Sequence, residues 1–488
     1  MSSNSPDGAQ GSTHQRFLSS TLAAYGSQLA RTAIRLVVDL SLARLVLPQG
    51  HGLFDQALAL VMILSLVRDL GLPYHLVRDP KAPYGTVLAW SLGSGLVLVV
   101  GTLLAAPWTA RLDPGLPAVL QVLCLWLLVD ALAVTPRVFF ERQLQVKKLV
   151  APEVQRSLVF ASVALPLAYF GFGVWSFVAA ELAAATFFAA RVWARAWGEL
   201  PLEVEFAQIP GLLKQSRWLF LVALAAVSLP QVAVLILGFF VTSTDVGFFN
   251  RARSWAFRLQ ILVLPALARV LYPALVAYQD DDERFRTAYR FGTLSILALE
   301  TLAAYFLFFN AEIALLKILL GPGWEGAVPL LKILCFAPLV DPFSRLGGEV
   351  LKVRHEDRVW LFIVVLNSFS LGIFGWWLTS GLGGAGMAWA HYLLLGNLVM
   401  TWRMAVLLGP IFWRLLADLV FLYLAPLPLF LAVAAWQPEA TWSRFAFSLL
   451  AAAAAAGLYA WRFHRPFRTF LRHGGEGQEE AATAEAAP

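Results

Sequence analysis

Apolar segments long enough to cross a lipid bilayer recur along the whole chain. A membrane-spanning helix needs about 20 mostly apolar residues, and fourteen stretches meet this requirement. They are too long for barrel strands and lack the two-residue alternation that such strands show. The sequence therefore predicts an all-α polytopic membrane protein with about fourteen transmembrane helices. The stretches lie near residues 21–47, 52–71, 84–107, 117–137, 152–171, 174–196, 216–241, 248–273, 288–310, 326–346, 358–379, 384–407, 411–434 and 443–463.

The composition agrees with lipid as the main solvent of this chain. Hydrophobic residues make up 59% and charged residues 14%, whereas soluble domains are about 25% charged. The two cysteines, Cys124 and Cys335, both lie in apolar stretches, which excludes a disulfide framework or a cysteine metal site. The net charge of +6 is explained by the loops described next, so no nucleic-acid partner is predicted.

Lysine and arginine are distributed unevenly between the two sides of the predicted membrane. Most of the 37 basic residues fall in segments that face the cytoplasm if the N-terminus is inside, whereas Arg111, Lys317 and Arg444 lie in the outer loops. This bias predicts an even number of helices and two cytoplasmic termini. The polar residues 1–15 and the low-complexity residues 466–488 are predicted to be disordered cytoplasmic tails.

One short motif occurs twice, as PQGHGLFDQ at 48–56 and STDVGFFNR at 243–251. Gly52 and Phe54 are separated from Gly247 and Phe249 by the same interval. The repeat predicts two parallel six-helix lobes, at 16–198 and 216–409, because six is an even number of crossings. A cytoplasmic connector at 199–215 joins them, and two further helices occupy 410–465.

Polar residues share one narrow face of the first apolar stretch. On a helical wheel Gln28, Arg31, Arg35 and Asp39 fall within about 80° of one another, and they cover about 16 Å of helix rise. A charge at the centre of a membrane helix costs about 2.5–3.5 kcal/mol, so this face predicts a water-filled cavity.

Arginines also align in the eighth stretch, where Arg251 and Arg258 lie at nearly the same wheel angle with Trp255 between them. Guanidinium groups bind phosphates and carboxylates in a bidentate way, so a cationic cavity that binds a lipid-linked diphosphate sugar fits these four arginines. Two simpler interpretations stay open: anchoring of end arginines to headgroups, and pairing between helices, such as Arg35 with Asp39 or Asp130.

Four acidic residues in the apolar stretches are candidates for coupling transport to a proton or sodium gradient: Asp39, Asp130, Glu181 and Glu300. A carboxyl group surrounded by hydrocarbon can carry a proton, and with oxygen neighbours it can bind Na⁺. Structural pairing is the competing interpretation for each of them. The sequence contains no metal-ligand spacing and no Walker A motif, so no cofactor and no metal site are predicted.

Several stretches together are similar to those of a known family. They are LARLVLPQGHGLFDQALAL (42–60), RDLGLPYHLVRD (68–79), TDVGFFNRARSW (244–255) and LLGPGWEGAVPLLKIL (319–334). In these stretches the chain resembles the Wzx-type oligosaccharide flippases of the multidrug/oligosaccharidyl-lipid/polysaccharide (MOP) superfamily, over residues 16 to about 410. Arg251 falls on the arginine of the family's Gly-x-Tyr-x-Arg-Ala signature, with Phe249 in the tyrosine place.

The resemblance implies a V-shaped two-lobed fold with two extra C-terminal helices. It also implies ion-coupled alternating access that moves undecaprenyl-diphosphate-linked oligosaccharides across the bacterial inner membrane. The glycan would serve O-antigen, capsule or exopolysaccharide synthesis. The partners implied are the lipid-linked oligosaccharide, membrane lipids, a polysaccharide polymerase and a chain-length regulator.

Other function classes fit the residues less well. A MATE-type drug/cation antiporter of the same superfamily favours an acidic cavity, against which the arginines argue, and a lipid II flippase is a further relative with a similar substrate. A membrane glycosyltransferase or polymerase needs acidic residues on a sizeable external loop, whereas the outer loops here are short. We therefore predict a transporter and not an enzyme.

Overall fold

A computed structural model describes residues 30–485 apart from 74–75, 77–82, 144, 146, 262, 265–270, 272–274, 277, 341–342, 438 and 440. Side chains at 218–219, 222–223, 225–230, 344–345 and 465–485 are also outside the description. The described part is helical and contains no β-strand. The predicted all-α class is confirmed.

Helices follow one another with short connections along the described chain. Narrower 3-10 segments lie at Ala106–Arg111, Phe206–Gln208 and Ala337–Leu339, and a π-helical segment lies at Ile313–Leu319. The α-helices are α1 (30–45), α2 (Pro48–Asp69), α3 (Tyr84–Ala105), α4 (Leu116–Leu123), α5 (Trp126–Arg142), α6 (Lys147–Tyr169), α7 (Val174–Ala196), α8 (Ile209–Phe240), α9 (Ser243–Ala256), α10 (Asp282–Glu312), α11 (Ala327–Leu334), α12 (Ser344–Val353), α13 (Asp357–Ala390), α14 (Leu395–Leu408), α15 (Pro410–Leu424), α16 (Leu427–Trp436) and α17 (Trp442–Glu485).

Every predicted apolar stretch overlaps at least one of these helices. By length and hydropathy, eight segments in the described part of the chain can each cross a membrane. A multi-pass membrane protein is thereby confirmed, while the number of fourteen crossings stays a prediction. Residues 466–485 continue α17, where the sequence predicts a disordered tail. The alanine and glutamate residues of this segment have high helix propensity.

The predicted stretch 384–407 is helical on both sides of a break and is not one continuous helix. Helix α13 ends at Ala390 and α14 begins at Leu395, after an extended Leu394. The ring Nδ1 of His391 lies 2.9 Å from the Met387 carbonyl oxygen, which the backbone N–H of His391 would contact if the helix continued. That N–H instead donates to Ala388, so the side chain displaces the helical hydrogen bond.

The chain divides into two compact units, Met1–Gly247 and Phe248–Pro488. The predicted lobe boundaries at 198 and 216 stay a prediction. In the first unit, apolar side chains of α1, α2, α4 and α7 form a shared core. In the second unit, the main core joins α10, α12, α14 and α15.

A pair of matching short helices, one in each unit, supports the internal repeat. Helix α4 is LPAVLQVL and helix α11 is AVPLLKIL, and each is followed directly by a buried cysteine at its C-cap. The Cys124 thiol donates to the Gln121 carbonyl at 3.1 Å, and the Cys335 thiol donates to the Lys332 carbonyl at 3.3 Å. The same local structure therefore occurs in both halves of the chain.

The middle residue of each Gly-x-Phe motif packs against a glycine. That glycine directly precedes the short helix of the same unit, α4 or α11. In the first unit, a Cβ atom on Gly115 would lie 3.2 Å from the Leu53 side chain. In the second unit, a Cβ atom on Gly326 would overlap the ring of Phe248. The repeated motif thus contacts the repeated short helix. A Cβ atom would overlap the Phe248 ring at Gly326, whereas at Gly115 it would make a tight contact with Leu53.

The two motifs also approach each other within the first unit, where the backbone of Gly52 lies against Ser243 and Gly247. A Cβ atom on Gly52 would overlap the Ser243 carbonyl oxygen. Asp113 stabilises this region, since its carboxylate accepts hydrogen bonds from the Ser243 hydroxyl at 2.7 Å and from the Gly115 N–H at 2.8 Å.

We predict that Gly52→Ala destabilises the protein by about 1–3 kcal/mol, the usual cost of overpacking, because backbone atoms must move to admit the methyl group. Thermal unfolding of the purified protein in detergent measures the effect. Gly93→Ala and Gly101→Ala in α3 are matched controls, since a Cβ atom at either position meets nothing within 4 Å. An unfolding temperature for Gly52→Ala equal to that of the controls would contradict the packing described here.

Candidate substrate site

Helix α1 carries the predicted polar face of the first unit. Arg31 and Asp39 are half-buried and Arg35 is exposed. Gln28, the fourth member of this predicted face, lies outside the described residues.

The two predicted site arginines of α1 differ in their surroundings. The Arg31 guanidinium forms an ion pair with Glu153 of α6, with 3.0 Å between Nη1 and Oε2. Arg35 follows one helical turn later and forms no ion pair within the described residues. Its positive charge therefore has no carboxylate partner in the described part of the chain.

A second ion pair continues from Glu153 along α6. Arg156, one turn further, binds Glu181 of α7 at 2.7 Å, and the Trp126 indole N–H donates to the same carboxylate oxygen at 3.2 Å. Glu181, a predicted ion-coupling residue, is thus held by a cation. The sequence analysis missed Glu153 and Arg156 as members of the polar face, although their spacing of three residues places them on one side of a helix.

A third cluster surrounds Arg68 at the end of α2, a residue with no exposed side-chain surface. Its guanidinium binds the Asp69 carboxylate through Nε at 2.8 Å and through Nη2 at 2.7 Å. It also donates to Asp130 at 2.9 Å and to the Leu127 carbonyl at 2.5 Å. Asp130, another predicted coupling residue, therefore pairs with Arg68, whereas the pairing considered from the sequence was with Arg35.

In the second unit, Arg251 and Arg258 are both half-buried. The Arg258 guanidinium donates to the Ser254 hydroxyl at 3.1 Å and lies 4.9 Å from the centre of the Trp255 ring. Helix α9 ends at Ala256, but Phe257 still donates its N–H to the Arg253 carbonyl at 3.0 Å. The helical hydrogen-bond pattern thus continues across the turn, while the alignment of Arg251 with Arg258 stays a prediction.

Glu300 of α10 is 4% exposed and lines a small cavity of about 20 Å³. Trp255, Gln260 and Cys335 line the same cavity. A water molecule needs about 10–15 Å³ of such space, so the cavity has room for one. Glu300 thus lines, together with the amide side chain of Gln260, a space large enough for one water molecule.

Metal ligands do not cluster in the described part of the chain, where no group of three or more His, Cys, Asp or Glu residues has a suitable arrangement. The charged groups at the predicted site are guanidinium and carboxylate groups. Their chemistry suits the binding of anions and of protons or monovalent cations.

Sequence comparisons show that this chain is similar to polysaccharide biosynthesis proteins. A family profile with the description "Polysaccharide biosynthesis protein" matches residues 41–329. The chain is 21% identical over 342 residues to the lipopolysaccharide biosynthesis protein WzxC of Escherichia coli (strain K12). This alignment covers 67% of the chain and 68% of WzxC. It is 24% identical over 317 residues to the succinoglycan biosynthesis transport protein ExoT of Rhizobium meliloti (strain 1021), covering 64% of each protein.

The fold is similar to those of solved transporters. The lipid II flippase MurJ in an inward closed conformation superposes with a TM-score of 0.73 at 12% identity, over 92% of this chain and 99% of MurJ. An inward-facing multidrug resistance MATE family transporter of the MOP superfamily gives a TM-score of 0.59 at 15% identity, over 79% of this chain and 95% of that transporter. At these identities the likeness shows the fold.

The resemblance to Wzx-type flippases inferred from the sequence motifs is confirmed by these comparisons. The family profile covers more than half of the chain and includes both Gly-x-Phe motifs. The chain therefore belongs to the polysaccharide biosynthesis protein family and has a MOP-superfamily fold.

Proposed function

We propose that this protein is a flippase that carries lipid-linked oligosaccharide units across the membrane for polysaccharide synthesis. The family supports this function, as do two relatives named for lipopolysaccharide and succinoglycan biosynthesis. The fold, which the protein shares with a lipid II flippase and a multidrug transporter, fits transport by alternating access.

We further propose the setting in which the flippase works. The membrane is the bacterial inner membrane, and both termini are cytoplasmic, as the distribution of lysine and arginine indicates. The carrier lipid is undecaprenyl diphosphate. A polysaccharide polymerase and a chain-length regulator act on the product after transport, and no enzymatic role is assigned to the chain itself.

The substrate's diphosphate or acidic sugars bind to the arginines of α1 in the first unit. We assign Arg251 and Arg258 of the second unit an anion-binding role of their own. The observation that carries this assignment is the contrast within α1: Arg31 is paired with Glu153, whereas Arg35 forms no ion pair within the described residues. A guanidinium in a membrane helix is costly without a partner. An anionic substrate group would supply that partner and would be bound through two parallel hydrogen bonds.

The remaining cations of the assignment are Arg251 and Arg258. Trp255 lies against the Arg258 guanidinium in a cation–π interaction. The Ser254 hydroxyl accepts a hydrogen bond from the same guanidinium. These two contacts orient the Arg258 side chain.

We predict that Arg35→Gln lowers surface polysaccharide export at least about tenfold, because a hydrogen bond to a charged group contributes about 1.5–3 kcal/mol. Arg35→Lys keeps the charge but loses the bidentate geometry, so its export should be intermediate. Export is measured in a deletion strain that expresses each variant at the same protein level.

Arg44→Gln is the matched control, since Arg44 is a second exposed arginine of α1 outside the predicted polar face. Its export should equal that of the unmodified protein. Normal export by Arg35→Gln would remove Arg35 from the substrate site, and equal losses in both variants would mean that any charge change in α1 impairs the protein.

For ion coupling we propose Glu300 among the four predicted acidic residues. Asp130 is paired with Arg68 and Glu181 with Arg156. If either carboxylate took up a proton, the charge of its arginine partner would be left uncompensated. Glu300 lines a cavity with room for one small polar species, and Gln260 lines the same cavity. A proton or Na⁺ that occupies this space would be bound by the carboxylate and the amide oxygen.

We predict that Glu300→Gln abolishes the acceleration of substrate flipping by an imposed H⁺ or Na⁺ gradient, because an amide cannot bind the proton and attracts a cation weakly. The assay uses proteoliposomes with and without each gradient. Glu141→Gln is the control, since Glu141 is an exposed residue paired with Arg137 on the same helix. Gradient stimulation that survives Glu300→Gln would exclude Glu300 as the coupling residue.

A further inference from the structure

Two arginines share one carboxylate in the second unit. Asp418 of α15 is 2% exposed and accepts hydrogen bonds from Arg290 of α10 and from Arg462 of α17. The Arg290 Nε lies 3.0 Å from one carboxylate oxygen, and the Arg462 Nη2 lies 3.0 Å from the other. One carboxylate neutralises one guanidinium, and neither arginine has a second acidic partner among the described ion pairs. The cluster therefore carries one net positive charge.

A cavity of about 160 Å³ lies beside this cluster, between α10 and α17. Its volume is close to the about 150 Å³ of an apolar cavity that admits benzene, so it accommodates a short part of a hydrocarbon chain. Arg290 lies at one end of the helix face that lines it. The apolar part of the lining consists of Phe291, Leu294, Ala298, Tyr459 and Phe463.

The cavity has a defined direction along the membrane normal. Arg290 lies near the beginning of the predicted crossing 288–310, and Arg462 lies at the end of the predicted crossing 443–463. The residues from Arg290 to Ala298 rise by about 12 Å along α10. The predicted crossings thus place the cationic cluster at the membrane interface, with the apolar lining extending from it toward the hydrocarbon layer.

We propose that Arg290 and Arg462 bind the phosphate of an anionic phospholipid of the surrounding bilayer, with the first part of an acyl chain in the cavity. Basic sites between transmembrane helices on the cytoplasmic side are typical binding sites for anionic headgroups. The net charge of one matches the single negative charge of a phosphodiester such as phosphatidylglycerol. A diphosphate carries more negative charge than this cluster compensates, so the structure favours a bilayer lipid over the transported carrier lipid.

The exposure of the two arginines agrees with this assignment. The Arg290 side chain is 23% exposed and the Arg462 side chain is 44% exposed, while Asp418 lies behind them. Asp418 holds both guanidinium groups in place, and their remaining N–H groups are available to phosphate oxygens. A phosphate that bridges the two arginines would join α10 to α17 and thereby attach the last helix to the rest of the unit.

The test measures binding of phosphatidylglycerol and of phosphatidylcholine to the purified full-length protein by native mass spectrometry. We expect phosphatidylglycerol to bind more tightly than phosphatidylcholine, and Arg462→Gln to weaken its binding by about tenfold, the loss of one charge-assisted hydrogen bond. Ala298→Phe fills the cavity without changing any charge and should weaken binding similarly. Thermal unfolding of each variant verifies that it is folded.

Arg414→Gln is the matched control, since Arg414 is an exposed arginine near the beginning of α15 and does not line the cavity. Its lipid binding should be unchanged. Equal affinity for the two phospholipids, or phosphatidylglycerol binding that neither Arg462→Gln nor Ala298→Phe alters, would overturn the proposal. Tighter binding of undecaprenyl diphosphate at the same site would also overturn it, in favour of a site for the carrier lipid.

The lipid site does not depend on the proposed transport function. Lost export in Arg35→Gln and lost lipid binding in Arg462→Gln are separate measurements on different units of the chain. Failure of one leaves the other standing.

Discussion

Pairing between guanidinium and carboxylate groups is the interaction on which the rest of this structure depends. Hydrocarbon does not solvate charge, and a lone charge in a membrane helix is costly. The protein compensates by linking helices through ion pairs: Arg31 joins α1 to α6, Arg156 joins α6 to α7, and Arg68 joins α2 to α5. These contacts fix which helices are neighbours and which helix faces point inward. Apolar packing alone specifies this poorly, because lipid tails are as apolar as the side chains of a neighbouring helix.

The same pairing shows which charged groups have another role. Where a cation has its carboxylate partner, as Arg68 does, the site is electrostatically complete and rigid. Where positive charge exceeds negative charge, an external anion can complete the site. We propose this character for α1 at Arg35 and for the cluster of Arg290, Arg462 and Asp418. The proposed anion is the headgroup of a lipid-linked glycan at the first place and a bilayer phospholipid at the second.

Sequence patterns predicted the elements of the fold much better than the contacts between them. Apolar length sufficed to find the helices, and the repeated Gly-x-Phe motif indicated two related halves. Its structural role, packing of Leu53 and Phe248 beside Gly115 and Gly326, could not be read from the sequence because the contacting residues are far apart in the chain. The break at His391 was missed because it arises from a side chain that takes a backbone acceptor, an effect without a hydropathy signal.

The predicted site residues illustrate the same limit. Helical periodicity placed Arg31 and Arg35 on one face of α1, but it could not distinguish them, since Glu153 lies on another helix. Likewise the sequence did not show that Asp130 and Glu181 are paired with Arg68 and Arg156, because each partner lies on another helix. Depth and wheel angle are properties of one helix, whereas the choice of partner is a property of the packed bundle.

The most direct measurement compares two substrates in proteoliposomes that contain the purified protein. One is a polyprenyl diphosphate oligosaccharide, and the other carries the same glycan and lipid joined by an uncharged linker. If arginines bind the anionic headgroup, the diphosphate substrate is flipped and the uncharged analogue neither is flipped nor competes with it. Flipping of both substrates at the same rate would contradict recognition of negative charge as the basis of transport.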